Sequence, residues 1–184
     1  SMLDLYFIVA DKPRVSFKLL SKNATTNITG DGLQCNKNNA DGHSCVLGDT
    51  VLEPNISHVW KVTINTSRWV FVGICDASVD ASGKVYDLPS SCGASLLNQT
   101  YTFGHYTVGG FHSEPTWKCH TVYMRVQFGT DGGGSLTLYR VESKEVVNIS
   151  LTPKDFKYVF CADLHEKDSI VTIDNSPGIK FPDV

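Results

Sequence analysis

No stretch of this chain approaches the roughly 18 consecutive apolar residues that a membrane-spanning helix requires, and its longest apolar runs are strand-sized. A strong charge of either sign is also missing. The 16 Lys and Arg against 19 Asp and Glu leave a net −3, a field too weak to favour nucleic acid or an anionic membrane surface, so neither is expected as a partner. No window of a dozen residues carries a 3.6-residue apolar period, and the 15 Gly and 7 Pro would interrupt most candidates, so helix should be nearly absent. Ser1-Met2 is not followed by a charged n-region, an apolar h-region and a cleavage pattern, and no signal peptide is expected in this segment. No internal repeat occurs, and no low-complexity stretch exceeds Gly132-Gly133-Gly134.

Catalytic signatures are equally scarce. His105, His112, His120 and His165 could join Cys119 around a metal, but there is no C-x-x-C pair, no H-x-x-x-H helix and no H-x-H pair, so these read as structural or surface residues and no metal or other cofactor is expected. No G-x-S-x-G elbow is present, and Cys92 in Ser90-Ser91-Cys92-Gly93 lacks a recognisable base. Asp76, Asp80 and Asp87 fall in one connection rather than on facing strands, against a glycosidase-type carboxylate pair. The Asp131-Gly132-Gly133-Gly134 run joins two strands rather than a strand and a helix, and so is no phosphate cradle. The chain is expected not to be an enzyme.

What the sequence does contain is turn chemistry at strand spacing: Gly30-Asp31-Gly32, Asp41-Gly42, Gly48-Asp49, Ser82-Gly83, Gly109-Gly110, Asp131 to Gly134 and Asn175-Ser176-Pro177-Gly178. Between them, β-rich runs predict strands near 5–10, 15–20, 32–35, 44–47, 58–64, 69–75, 101–103, 120–128, 135–140, 146–150, 158–162 and 169–173. Val122, Met124, Val126 and Phe128 alternate with Tyr123, Arg125 and Gln127, the mark of a half-buried antiparallel strand, and Leu136 and Leu138 repeat it beyond the 130–134 turn. His58 to Ile64 and Trp69 to Cys75 read as a second hairpin across Asn65-Thr66-Ser67. Many such strands must stack sheet on sheet to hide their apolar faces, and 184 residues suffice for one such core. The fold expected is all-β: a single antiparallel β-sandwich of the lectin-like, jelly-roll sort, with 175–184 as an extended tail on the surface.

The segment His58-Val59-Trp60-Lys61-Val62 followed by Trp69-Val70-Phe71-Val72-Gly73-Ile74-Cys75 resembles the "hYWEV…W.vGvc" centre of the SPRY family. Gly32-Leu33-Gln34-Cys35 with Ser44-Cys45-Val46-Leu47-Gly48 is similar to its "dGl.v…s.vlG" pair, and Tyr101-Thr102-Phe103-Gly104-His105-Tyr106 to its "s.yGyd" element. Val126 to Tyr139 and Phe156 to Ile173 resemble the closing motifs, so the likeness covers roughly residues 30 to 174 in consistent order. Lys61 stands where the family has an acidic residue, and Phe128-Gly129 where it often has Leu-Asp; no "LDP" signature of the longer PRY extension is present, so an SPRY-only, divergent form is expected.

The resemblance implies a protein-recognition module that binds a partner protein or short linear peptide through its inter-strand loops, for instance as the substrate-recognition end of a ubiquitin-ligase subunit, and that is monomeric as an isolated domain. It puts Asn38, Asn39 and Asp41, Phe111 and His112, and Asp163 with Leu164 on the binding surface, flanked by Asp76 and Tyr86. The residues themselves add that the long connections 36–43, 76–98 and 106–118 are the natural seats of function. In the last of these Tyr106, Phe111 and Trp117 supply three aromatics that serve either as contact anchors or as caps on an open sandwich edge. Trp60 is expected in the core, whereas Trp69 at a strand start could face either way.

Compartment is argued two ways. Six widely spaced cysteines in a chain this long need not pair, and Cys75 and Cys161 read as buried free thiols, which favours a cytoplasmic setting. Six N-x-S/T sequons, at Asn23, Asn27, Asn55, Asn65, Asn98 and Asn148, exceed the roughly two expected by chance and favour the alternative, a secreted or cell-surface lectin-like domain that binds carbohydrate or another ligand. If Phe111 anchors a ligand at the loop end, its truncation should abolish binding and leave the melting temperature nearly unchanged.

Overall fold

The computed structural model describes residues 16–66 and 68–184; the strand expected at 5–10 lies outside these residues. The described chain forms β1 (Leu19–Leu20), β2 (Thr26–Thr29), β3 (Gln34–Lys37), β4 (Ser44–Gly48), β5 (Ser57–Asn65), β6 (Val70–Asp76), β7 (Cys92–Ser95), β8 (Gln99–Thr102), β9 (His105–Val108), β10 (Cys119–Phe128), β11 (Gly134–Arg140), β12 (Glu145–Leu151), β13 (Tyr158–Leu164) and β14 (Ile170–Asp174), with no helix among the described residues. They make two antiparallel seven-stranded sheets, ordered β1-β4-β13-β6-β7-β8-β9 and β12-β11-β10-β5-β14-β3-β2. The all-β sandwich expected from the alternation is what the chain adopts.

The two sheets differ in a way that their sequences announce. Strands of the second sheet alternate: in β10, Val122, Met124, Val126 and Phe128 point into the sandwich, while Tyr123 and Arg125 face outward. The central strands of the first sheet are buried along their whole length, β6 as Val70-Phe71-Val72-Gly73-Ile74-Cys75 and β13 as Tyr158-Val159-Phe160-Cys161-Ala162-Asp163-Leu164. A run that is apolar on both faces needs cover on both. The inner cover is the second sheet, through a core containing Trp60, Val62, Ile74, Met124, Leu138 and Phe160. The outer cover is the 77–91 connection, whose Ala81, Val85, Val79 and Leu88 pack on Phe71, Cys75, Val159 and Cys161. Trp60 is in the core as expected, 1% exposed, with its Nε1 against Met124 Sδ at 3.2 Å.

One expectation is overturned. Strands β5 and β6 do not form a hairpin: β5 pairs with β10 and β14 in the second sheet, and β6 with β13 and β7 in the first. The short turn is a corner between sheets, held by Thr66, whose N donates to Lys118 O at 3.0 Å and whose Oγ1 meets Ser169 Oγ at 3.2 Å. A three-residue polar turn is compatible with either topology, and partner choice followed burial demand instead. By contrast, the expected hairpin between β10 and β11 forms, with Phe128 opposite Gly134. Three strands were not expected. β7 is Cys-Gly-Ala-Ser, with no β-branched or aromatic residue. β9 follows a Phe103-Gly104 turn with both residues at positive φ, 49° and 79°, where Asn-Gly would be the usual signal. β2, Thr-Asn-Ile-Thr, is polar and lies at a sheet edge.

Gly73 and Gly93 sit opposite one another where β6 meets β7. A Cβ at Gly73 would lie 2.1 Å from Cys92 O, and one at Gly93 2.3 Å from Val72 O and 2.7 Å from Phe71 Cζ. Gly93→Ala should therefore cost about 3 kcal/mol in urea unfolding. Gly83→Ala, where nothing lies within 4 Å, should stay within about 0.5 kcal/mol of the parent.

Candidate functional site

The outer face of the first sheet is covered at one end and open at the other. Ladder register sets its outward rows: Cys45, Asp163, Phe71, Ser95 and Gln99 form one, and Leu47, Cys161, Gly73, Gly93, Tyr101 and Tyr106 the next. The paired glycines leave room in which Phe71 and Tyr101 meet edge to face at 5.8 Å. Tyr86, at the end of the cover, meets Tyr101 at 5.2 Å and Trp69 at 4.9 Å, both near perpendicular. His43 stacks on Tyr86 at 5.1 Å and stands edge-on to Trp69 at 5.1 Å and to His165 at 4.8 Å. His43, Trp69, Tyr86, Gln99, Tyr101 and His165 thus line an open hollow of ≈ 250 Å³. Tyr106, 53% exposed, forms its rim on the edge strand β9.

Buried polar bonds hold these groups. Asp163, 0% exposed, accepts from Val85 N at 2.8 Å and faces His43 Nδ1 at 2.9 Å. Gln99 Oε1 accepts from Trp69 Nε1 at 2.8 Å and from Ser95 Oγ at 2.9 Å. Burial, followed by the neighbouring Tyr86, pushes the Tyr101 hydroxyl up to about 12, so it remains a neutral donor at physiological pH.

The residues proposed from sequence separate into groups. Asn38 and Asp41 stand beside the hollow: Asp41 Oδ1 accepts from Lys167 N at 2.9 Å, Asn38 O from Asp168 N at 3.0 Å, and Gly42 N donates to His165 O at 3.0 Å, which brings His43 and His165 together. Asn39 is exposed in the same loop. Tyr86 and Tyr106 belong to the hollow, and Asp163 lies beneath it rather than on the surface. Leu164 is 0% exposed in the inter-sheet core, where no partner can touch it. Asp76 is at the far end of β6, five residues from Phe71 or about 17 Å. There its Oδ1 accepts from Lys157 N at 2.7 Å and its N donates to Ser90 Oγ at 3.0 Å, a clasp for the cover rather than a contact residue.

Phe111 is the chief correction. It is 0% exposed and part of the inter-sheet core. Its ring lies 5.3 Å from the guanidinium of Arg140, and the half-buried Trp117 lies 5.3 Å from the same group. Arg140, itself 0% exposed, donates to His112 O at 2.8 Å and to Glu145, while the exposed His112 pairs with Glu145 through its N and Nδ1. The aromatics of the 109–118 connection therefore wrap a buried cation, and of the two roles open to Trp117 it takes the structural one. Neither this cluster nor Asp76 lines the hollow.

Sequence reading missed His43, Gln99 and Tyr101, took His165 for a structural or surface residue rather than a metal ligand, and left Trp69 open. The usable signal was the outward parity of Gln99 and Tyr101, which needs the β7–β8 pairing to interpret. Burial raises the Cys92 thiol to about 11, which removes it further from nucleophilic use. Among the described residues, no three His, Cys, Asp or Glu side chains gather closely enough to hold a metal ion.

No family model matches the sequence and no curated protein matches it. Solved structures do. The TRIM65 PSpry domain superimposes with a TM-score of 0.63 at 14% identity, over 88% of this chain and 89% of that one. Stonustoxin gives 0.61 at 12% identity over 86% of this chain and 28% of that one. The chain has a SPRY-like fold.

Two consequences follow for stability. Phe111→Ala should lower it by about 3–5 kcal/mol by calorimetry or urea unfolding, the cost of a large cavity in a packed core. Acid should act in two stages. Burial, then Arg140, lowers the pKa of His120 below 6.5, so stability begins to fall once pH drops below that value and the unfolded chain takes the proton preferentially. Burial alone would raise the Glu145 carboxyl, but hydrogen bonds from Ser143, His112 and Arg140 outweigh it and bring it down to about 2 from 4.5. Its contribution is complete above 4.5 and is lost as pH falls from there towards 2. A urea midpoint measured against pH should show both declines, and Glu145→Gln should flatten the lower one.

Proposed function

We propose that this domain is a non-enzymatic recognition module that takes a partner protein or a short peptide in the aromatic hollow, as the binding end of a larger intracellular protein such as a ubiquitin-ligase subunit. One observation carries the reading: Trp69, Tyr86, Tyr101, Tyr106, His43 and His165 are gathered on the outer face of the first sheet, away from the inter-sheet core that holds the sandwich together. Amphipathic rings with polar tips around a shallow, partly desolvated basin are the composition of a binding hot spot. The SPRY-like fold is consistent with this use, and the weak net charge of −3 argues against a nucleic-acid partner.

The test is capture of partners by the isolated domain followed by peptide mapping, with affinities measured for variants. Trp69→Ala should weaken binding by about 2 kcal/mol, or thirtyfold. Arg125→Ala, on the outer face of the second sheet, should leave affinity unchanged. Equal binding by the two variants would remove the hollow from consideration.

A lectin-like extracellular domain is the second reading. Asn27, Asn55, Asn65 and Asn148 of the sequons are exposed, all on the second sheet or at its border. Intact-mass analysis of protein from its native source separates the two: glycans or disulfides favour the second reading, and an unmodified chain with six thiols the first.

A further inference from the structure

The hollow carries directional polar groups as well as ring faces. Gln99 and His43 flank Trp69, the first through the indole Nε1 hydrogen bond of 2.8 Å and the second through an edge-on ring contact at 5.1 Å. Each is fixed from its far side. Gln99 Oε1 accepts from both Trp69 Nε1 and Ser95 Oγ, which occupies both lone pairs, and the indole sets the amide orientation, because a flipped amide would turn its NH₂ towards the donor-only Trp69 Nε1. The Nε2 donor is what remains for a ligand. Asp163 Oδ1 faces His43 Nδ1 at 2.9 Å, and a carboxylate acceptor there places the hydrogen on Nδ1, the tautomer whose Nε2 is an acceptor.

We infer that the hollow recognises a primary carboxamide, the side chain of an Asn or Gln on the partner polypeptide; this rests on the reading of the hollow as a protein- or peptide-binding site. The ligand carbonyl accepts from Gln99 Nε2, its NH₂ donates to His43 Nε2, and its planar amide lies among the rings of Trp69, Tyr86 and Tyr101. An acidic side chain would set an oxygen against the His43 lone pair, and an ammonium would set a donor against the Gln99 amide, so both are discriminated against by an unmatched polar group. A hollow of ≈ 250 Å³ suits the end of one side chain, whereas an extended main chain finds its hydrogen-bonding partners along β9, the edge strand of its sheet among the described residues.

The probe is a random peptide library displayed on phage and selected against the whole domain. The expected consensus contains Asn or Gln, and its exchange for Asp or Glu in a synthetic peptide weakens binding about tenfold or more. Gln99→Glu keeps both acceptor bonds, to Trp69 and Ser95, while deleting the donor, and should erase most of that amide-over-acid preference. The peptide-side exchange does not depend on how the variant folds. A consensus without Asn or Gln, or an amide-to-acid exchange tolerated within about twofold, overturns the carboxamide assignment even if Trp69→Ala still abolishes binding and so leaves the hollow as the site. Peptides that bind wild type and Trp69→Ala alike, or no enrichment at all, overturn the reading of the hollow and this inference with it.

Discussion

A carboxylate with no solvent exposure, Asp163, sits on the outer face of the first sheet, and much of the molecule is arranged to satisfy it. An uncompensated buried carboxylate costs several kcal/mol. Here one oxygen takes the Val85 N–H from the cover segment and the other faces His43 from the β3–β4 loop. One residue of β13 therefore fastens two connections that are remote in sequence. The cover is what allows β6 and β13 to be apolar on both faces, and His43 is a wall of the hollow. Stability of the outer layer and shape of the site are thus set by the same group.

Arg140 plays the corresponding part on the second sheet. It too is fully buried, with Glu145, Ser143 and the His112 carbonyl as hydrogen-bonding partners and Phe111 and Trp117 against its guanidinium. The planar, delocalised cation suits such a site because it both stacks on rings and fills a fork of acceptors. Each of the two buried charges gathers a group of aromatics beside it. Those around Arg140 are consumed in holding the 109–118 connection down, while those above Asp163 remain partly open to solvent. Aromatic content of a loop does not by itself separate these outcomes; the position of the buried charge does.

This explains how far the sequence could be read. Alternation in β10 and β11 and the unbroken apolar runs of β6 and β13 are local signals, and they located most strands and the sandwich. Order within the sheets is not local. Whether Trp69 begins a hairpin with β5 or crosses to the other sheet depends on which surfaces remain to be covered, and nothing in Asn65-Thr66-Ser67 encodes that. The same holds for Phe111, whose Gly- and Pro-containing neighbourhood suggests an exposed loop until Arg140, 29 positions away in sequence, is found beneath it. Asn38, Asp41, Tyr86 and Tyr106 were reached through the resemblance or as loop aromatics and do border the hollow. Gln99 and Tyr101 were not, because β7 lacks the residues that would have revealed their pairing.

The incomplete cover of the first sheet is the last link between fold and proposed function. The 77–91 segment spans the glycine-centred middle of the outer face and stops at Tyr86, while β8 and β9 continue the sheet beyond it. Had the cover continued, the half-buried Trp69 and Tyr86 would be ordinary core rings; had it been absent, Phe71, Cys75 and Cys161 would lie in water at a prohibitive apolar cost. The boundary falls where Lys84 and Asp87 pair at the surface and Lys84 Nζ stands 5.6 Å from the Tyr86 ring, so the segment ends in a charged, solvated edge rather than an apolar one. An aromatic floor with a polar border is left exposed beside it, held rigid by bonds made for the fold and available for contacts made with a partner.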